Sequence, residues 1–331
     1  MLKYLVKRIF ASITLLFIVI FVTFSLFVAV PADPARLSCG KTCDPETRER
    51  IRHAMEIDIP VYEQYFRFMK GIVVGRTYNQ SSAMPRECKA PCLGFSFRSD
   101  EDVTETIKRR APITFSLALG ASVVWLIGGI LLGMASAIKR GKFLDKLIQG
   151  FALFFSSLQI YLIGWIASLY LVIKHSILPT PIYISPFDSL KSWIGGMLLP
   201  WLTLAFISMA SYARLTRSGM LETMSEDFVR TARASGITNR SIQFRHTLRA
   251  AITPIVTIFG LDLGSLLGGA VITESTFGLK GVGTLALEAV YELDLPLIIG
   301  TVIFGAFFII LANLIVDILY AVLDPKVRIT K

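Results

Sequence analysis

Three groups of residues in this 331-residue chain are of types, and at spacings, that can do chemistry. Cys39, Cys43, Cys88 and Cys92 form two C-x3-C pairs within one stretch. On an oxidising face such a set makes disulfides; its rival reading is a four-thiolate zinc site. Zinc motifs usually use closer C-x2-C pairs and thiolates outside the cell tend to oxidise, so disulfides are expected, with the pairing open between 39–43 with 88–92 and two long-range links. The second group is seven arginines between Arg214 and Arg249, accompanied only by the acids Glu222, Glu226 and Asp227. The third is Asp262, the single acid in the apolar stretch 250–273. A carboxylate at bilayer depth is costly unless paired or wetted, so it is a functional candidate by default. It could line a translocation path and meet an amine. Its blander readings are a wet cavity or a structural pair with a neighbouring subunit.

The elements that position these groups follow from composition. Hydrophobic residues make up 53% and charged residues 18% of the chain, against about 25% charge in an average soluble domain. With a mean hydropathy of +0.62, a soluble enzyme, a disordered chain, collagen and a coiled coil are excluded. A helical span needs about 20 apolar residues. Six runs qualify: Ile9–Val30, Ala111–Ile138, Leu147–Ile173, Ser192–Ala213, Ala250–Thr273 with its one acid, and Leu295–Val316. None alternates as a membrane barrel strand does. The fold class is therefore all-α, a polytopic membrane protein with six transmembrane helices. The first run is too long for a signal-peptide core and reads as a retained anchor. The expected organisation is an N-terminus and first span over 1–30, an extracytoplasmic loop domain with the four cysteines over 31–110, and a five-helix core over 111–331.

Basic residues set the orientation. Lys3, Lys7 and Arg8, then Lys139, Arg140, Lys142 and Lys146, then the arginines of 214–249, then Lys326, Arg328 and Lys331 all fall on one side. The short loops opposite hold only Lys174, Lys191 and Lys280. Both termini and the arginine segment are thus expected in the cytoplasm, and the net charge of +10 reflects topology and lipid contact, with no nucleic-acid partner.

Within the arginine segment, Thr223-x-x-Glu226 fits a capping box. A helix is expected over Met224–Ser235, then Gly236 as its left-handed stop and a second helix from Asn239 to Arg249. Phe228, Thr231, Ala232 and Ser235 share a face that would dock a protein or lie on anionic lipid. In the long loop, helical periodicity over Asp44–Met69 would bury Ile51, Met55, Ile59, Tyr62, Tyr65 and Phe66, and residues 75–97 read as irregular. Gly260, Gly264 and Gly268 form a stripe that permits close helix packing, and Asp317 near Asn313 reads as a packing or water-contacting acid. In 274–294, a lip or a plain connection, Thr284 would cap a short helix; Pro296 fits the first turn of the last span. His53, His175 and His246 are scattered, so no metal site is expected. The phosphate loop G-x-x-x-x-G-K-[ST] is not met at Gly141–Lys142, where Phe143 follows, so any energy source would be another polypeptide. An intramembrane enzyme lacks a recognisable dyad or G-x-S-x-G motif; a passive channel would not need the arginine segment.

The sequence "DFVRTARASGI" followed by "FRHTLRAAITP" resembles the signature of binding-protein-dependent ABC import permeases, in the version of the dipeptide and oligopeptide branch. Arg230, Thr231, Ala232 and Gly236 stand at the places of E-A-A-x-x-x-G in the general pattern. "VAVPADP", "MEIDIPVYEQYFRFMKGIVVG", "ESTFGLKGVGTLALEAVYELDLPLIIG" and "NLIVDILYAVLDPKVR" resemble further blocks of the branch, so the likeness spans nearly the whole chain. It implies the type I importer permease fold and a non-catalytic transport subunit of the cell membrane. It implies as partners a second homologous permease, two ABC ATPases that bind ATP and Mg, and an extracytoplasmic solute-binding protein. The solute would be a peptide, with nickel or another small solute as the alternative. Glu226, Asp227, Phe228, Arg230, Thr231, Arg233, Ala234 and Gly236 would be the ATPase-coupling residues, and Asp262 the translocation-path candidate.

Overall fold

The computed structural model describes residues 2–29, 44–54, 59–78, 86–96 and 98–323. Cys39 and Cys43 lie outside the described residues. The first apolar run is helix α1 (Leu2–Ala29). The long loop holds α2 (Pro45–Ala54), α3 (Val61–Val74) and two antiparallel pairs, β1 (Arg76–Tyr78) with β2 (Arg86–Cys88) and β3 (Phe95–Ser96) with β4 (Glu101–Asp102). Then follow α4 (Val103–Ile138), α5 (Phe143–Ser157), α6 (Ile160–Ala167) with a π-helical continuation over Ser168–Lys174, and α7 (Leu190–Met224). The chain ends with α8 (Asp227–Ala234), α9 (Asn239–Ser241), a π-helical stretch Ile242–Thr247, α10 (Leu248–Leu267), α11 (Val271–Phe277), α12 (Val282–Glu292) and α13 (Leu295–Leu323).

Among the described residues, five helices are long and apolar enough to cross a bilayer, and the bent pair over 143–174 makes a sixth if counted as one span. That pair departs from the single straight span expected over Leu147–Ile173. The helix bends by 99° where Leu158 and Gln159 turn extended. The hydroxyls of Ser156 and Ser157 donate back to the Leu153 carbonyl, a local bond that competes with helix continuation. Gly164 lets α6 seat directly on Thr276 and Phe277 of α11.

The core is the long pair α4 and α7, closed by α10. Trp125, Leu117, Met197 and Ile255 are fully buried or nearly so. Side chains at Gly129 and Gly133 would run into Tyr212 and Thr216, so glycine is what lets the two helices approach. The Trp201 indole N–H donates to the Ser116 carbonyl at 2.9 Å, satisfying a buried donor. The glycine stripe of α10 packs within the same chain: a Cβ at Gly260 would meet Val316, one at Gly264 would meet Ala312, and Gly268 lies on Gly305 of α13.

The segment between α1 and α4 sits on the C-terminal part of α1 and the N-terminal part of α13. Phe68 of α3 is buried with Ile20 and Phe24 of α1 and Ile299 and Ile303 of α13. Tyr62 and Phe66, expected inside, are each 68% exposed, and Ile59 is half-buried. The apolar face of α3 that docks runs through Tyr65, Phe68, Met69 and Ile72, and Pro60 starts α3 as a helix separate from α2, so one continuous period from Asp44 misplaces the stripe. The side chains of Ile51 and Met55 lie outside the described residues. Within the stretch expected to be irregular, β1–β2 forms and Cys88 bonds to Cys92. The disulfide replaces the zinc reading for this pair, and both sulfurs are buried beside Tyr78 and Phe95.

Candidate functional site: an arginine-rich elbow and a mid-span carboxylate

The elbow is built differently from the expected capping box. Helix α7 runs on through Met224, so Thr223 is inside it, and its hydroxyl donates to the Gly219 carbonyl at 2.8 Å. Only Ser225 and Glu226 separate α7 from α8. The Ser225 N–H donates to the Glu222 carbonyl and the Glu226 N–H to the Thr223 carbonyl, which fixes the turn. Glu226 is the N-cap by position but gives no side-chain cap bond. A capping box needs a free N–H at Thr223, and the continuing helix uses it.

The C-terminus of α8 matches expectation. Gly236 takes φ +78°, the left-handed region that glycine enters without strain. Its N–H donates to the Arg233 carbonyl, and the Ile237 N–H to the Ala232 carbonyl; together these are a Schellman closure. The following helix starts at Asn239, as expected, with Thr238 as its N-cap. It passes through the π-helical turn straight into α10, so the elbow's exit is as stiff as its entrance.

Glu226, Asp227, Phe228, Arg230, Thr231, Arg233, Ala234 and Gly236 are all exposed. Arg230 reaches Asp227 at 3.4 Å, Thr231 donates to the Asp227 carbonyl at 3.0 Å, and Phe228 is 47% exposed. The residue that holds α8 to the body is Val229, fully buried, with Ile242 and Thr247 buried in the adjoining π-helical stretch. A lone Val on a polar helix gives a weak periodic signal, which is why sequence reasoning passed over it.

Two turns before the end of α7, Arg217 makes a two-pronged ion pair with Asp145 of α5, Nε at 2.8 Å and Nη2 at 2.9 Å. Asp145 also accepts from the Gly141 N–H at 2.9 Å and from the Ser136 hydroxyl. The clamp binds the α4–α5 turn to the helix that carries the elbow. Opposite, Arg8 of α1 pairs with Asp317 of α13 at 2.8 Å, so that acid ties two spans together.

Asp262 stands on α10, on the side away from the glycine stripe. The Tyr212 hydroxyl of α7 donates to its Oδ2 at 2.8 Å. Trp125 packs against Tyr212 with ring centroids 6.3 Å apart, and its indole N–H is buried without a hydrogen-bond partner. Asp262 is exposed on this single chain, in line with Ile258, Leu261 and Ser265.

At the end away from the arginines lies a carboxylate that sequence reasoning missed. Glu274 of α11 is fully buried. It accepts from the Thr114 hydroxyl at 2.7 Å and from the Thr284 N–H at 2.8 Å, while the Val282 N–H donates to Thr114. Burial pushes the Glu274 carboxyl above the ordinary carboxylate range, against the pull of Thr114 and backbone N–H groups. It caps α12 from another helix; Gly281 is the N-cap by position, three residues before the cap expected at Thr284. Asp294 caps α13 through the Leu297 N–H and takes the Ser96 hydroxyl, which locks β3 onto this end of the bundle. A clue to Glu274 was available: it sits beside three closely spaced glycines, Gly278, Gly281 and Gly283, and only Gly at 281 leaves room for its carboxylate.

Two family models match the chain, the N-terminal part of the binding-protein-dependent transport system membrane component over residues 1–118 and the binding-protein-dependent transport system inner membrane component over 129–329. A putative peptide transport system permease protein of Brucella abortus is 33% identical over 324 residues, 98% of each chain. The probable D,D-dipeptide transport system permease protein DdpB of Escherichia coli is 34% identical over 328 residues, 92% of each. The glutathione transport system permease protein GsiC of E. coli is 33% identical over 329 residues, 99% of each. Among solved structures, a chain of the MetNI methionine ABC transporter superposes with a TM-score of 0.50 at 14% identity, covering 67% of this chain and 97% of that one; the likeness is one of fold. The chain belongs to the binding-protein-dependent transport system inner membrane component family, as a multi-pass, all-α permease with the ABC importer fold.

Proposed function

We propose that this permease forms half of the translocation path of an ATP-driven importer of peptides. The relatives' names, peptide, D,D-dipeptide and glutathione transport, favour a peptide over nickel as the solute. In this reading the chain sits in the cell membrane with both termini in the cytoplasm and pairs with a second, homologous permease. An extracytoplasmic binding protein delivers the peptide. Two separate ABC ATPases hold ATP and Mg and dock on the exposed residues of α8, so the chain itself is non-catalytic. Asp262 faces the path.

The observation that carries the reading is the stiffness of the elbow. A short helix held by a two-residue entrance, a Schellman exit and a buried Val229 moves as a body with α7 and α10. A docked motor that shifts α8 therefore shifts the spans, which a slack loop would not do. The experiment is an Arg230→Glu/Gly236→Pro variant. Proline fixes φ near −65° and cannot take the +78° of Gly236, while Glu inverts an exposed charge. The variant should insert as the wild type does yet fail to co-purify with the ATPases. Retained co-purification refutes the assignment.

A further inference from the structure

We infer that Asp262 and Tyr212 form a recognition point for the protonated amine of the solute, so that the path requires a free peptide N-terminus. This rests on the reading of the chain as half of a peptide path. Four observations carry it. The acid lies within a membrane span, on the face of α10 that the chain leaves uncovered. A carboxylate facing hydrocarbon is too costly to persist, so this face meets water or protein. The Tyr212 hydroxyl occupies only Oδ2, at 2.8 Å, which orients the group and leaves Oδ1 for a donor. Tyr212 is itself 2% exposed and wedged against Trp125, so the carboxylate is held before any ligand arrives, the arrangement that makes a charged hydrogen bond selective.

The rival donor is a Lys or Arg of the neighbouring permease. Where that neighbour is a second copy of this chain it does not bring one: the apolar runs of this sequence contain no basic residue at all, and α10 has only Arg249, at its far end. Related by a two-fold axis, corresponding faces meet, which would set acid toward acid. Two carboxylates across a path call for a cation between them, and an ammonium with three donors fits both.

The test uses the assembled transporter in proteoliposomes with a peptide in two forms, free and N-acetylated. The variants are Asp262→Asn, Asp262→Glu and Tyr212→Phe, with ATPase stimulation by loaded binding protein as a check on assembly. Asp262→Asn should lower uptake of the free peptide by about tenfold or more, the usual weight of a hydrogen bond to a charged group. Uptake of the acetylated form, which brings no ammonium to this point, should fall far less. Asp262→Glu should restore preference for the free amine, and Tyr212→Phe should reduce it. Equal loss for both forms, or loss of ATPase stimulation, makes Asp262 a structural or subunit-contact group and overturns the inference. Unchanged discrimination overturns it as well. A wild-type complex that takes up neither peptide refutes the peptide reading itself, and the inference with it.

Discussion

Asp145→Ala is the sharpest test of how the bundle is held together. The Asp145 carboxylate is nearly buried and accepts from Arg217 Nε, Arg217 Nη2, the Gly141 N–H and the Ser136 hydroxyl. Truncation removes these bonds together and leaves the Arg217 guanidinium, whose side chain is 26% exposed, without its counter-ion. Breaking a fully buried pair from one side costs about 3–5 kcal/mol. Because a quarter of Arg217 stays in reach of solvent, the lower end applies, about 3 kcal/mol. At about 2 °C per kcal/mol for a long chain, the apparent Tm falls by about 6 °C. Arg217→Met should cost a similar amount, since it strands the acid. The double variant Asp145→Leu/Arg217→Met removes both charges and substitutes apolar groups, an exchange that is close to neutral. It should therefore lie well above the sum of the single losses. The assay is thermal unfolding of all four proteins in one detergent at one scan rate, because unfolding of such chains is read as a rate. Strictly additive losses, or an Asp145→Ala Tm within about 1 °C of wild type, refute the argument.

Two further perturbations test other parts of the fold. Gly260→Leu would drive a side chain into Val316 where α10 meets α13; overpacking of this kind costs about 1–3 kcal/mol, and an unchanged Tm would show that the helices are not in contact there. Asp294→Asn tests the outer cap. Burial holds the Asp294 carboxyl above its ordinary value, so its charge begins to cost stability as pH rises past the unfolded pKa, about 3.9, and the cost is complete above the folded value. Asn caps a helix as well as Asp, so the variant should melt above wild type at pH 7, with the gap closing as pH falls toward 4. A gap that does not change with pH sinks the account.

The parts of the molecule that follow a strong period or a single local rule were legible in the sequence. Apolar length alone located five spans but not the bend within 143–174, the Gly236 stop needs only a residue free to take positive φ, and the α10 glycine stripe announces a close neighbour. What was not legible depends on partners distant in sequence. Glu274 is made safe by Thr114, 160 positions away, and Asp145 by Arg217, 72 away. The capping box failed because Thr223 is equally at home inside a helix, and tertiary packing let α7 continue. On α3, the period was right but its phase was not, since Phe66 and Phe68 are equally apolar and only the position of α1 selects between them.

These long-range pairs also explain how one helix can join the elbow to the mid-span carboxylate. Helix α7 carries Arg217 near the elbow and Tyr212 beside Asp262. Five residues of α-helix separate them, about 7.5 Å of rise. Glycine contacts to α4 confine the rod along its flank, and the Asp145 clamp fixes its lower part to the α4–α5 turn. In the proposed reading, a push on α8 passes the two-residue link and reaches Tyr212 as a rotation or shift of the whole rod. Because the Tyr212 hydroxyl donates the bond that orients Asp262, such a movement would change the carboxylate's direction. The same wiring has a consequence for the Asp145→Leu/Arg217→Met variant. Stability is recovered, but the fixed point is gone, so ATP hydrolysis should continue while peptide uptake per ATP falls. Full uptake per ATP in that variant would show that α7 transmits nothing through the clamp.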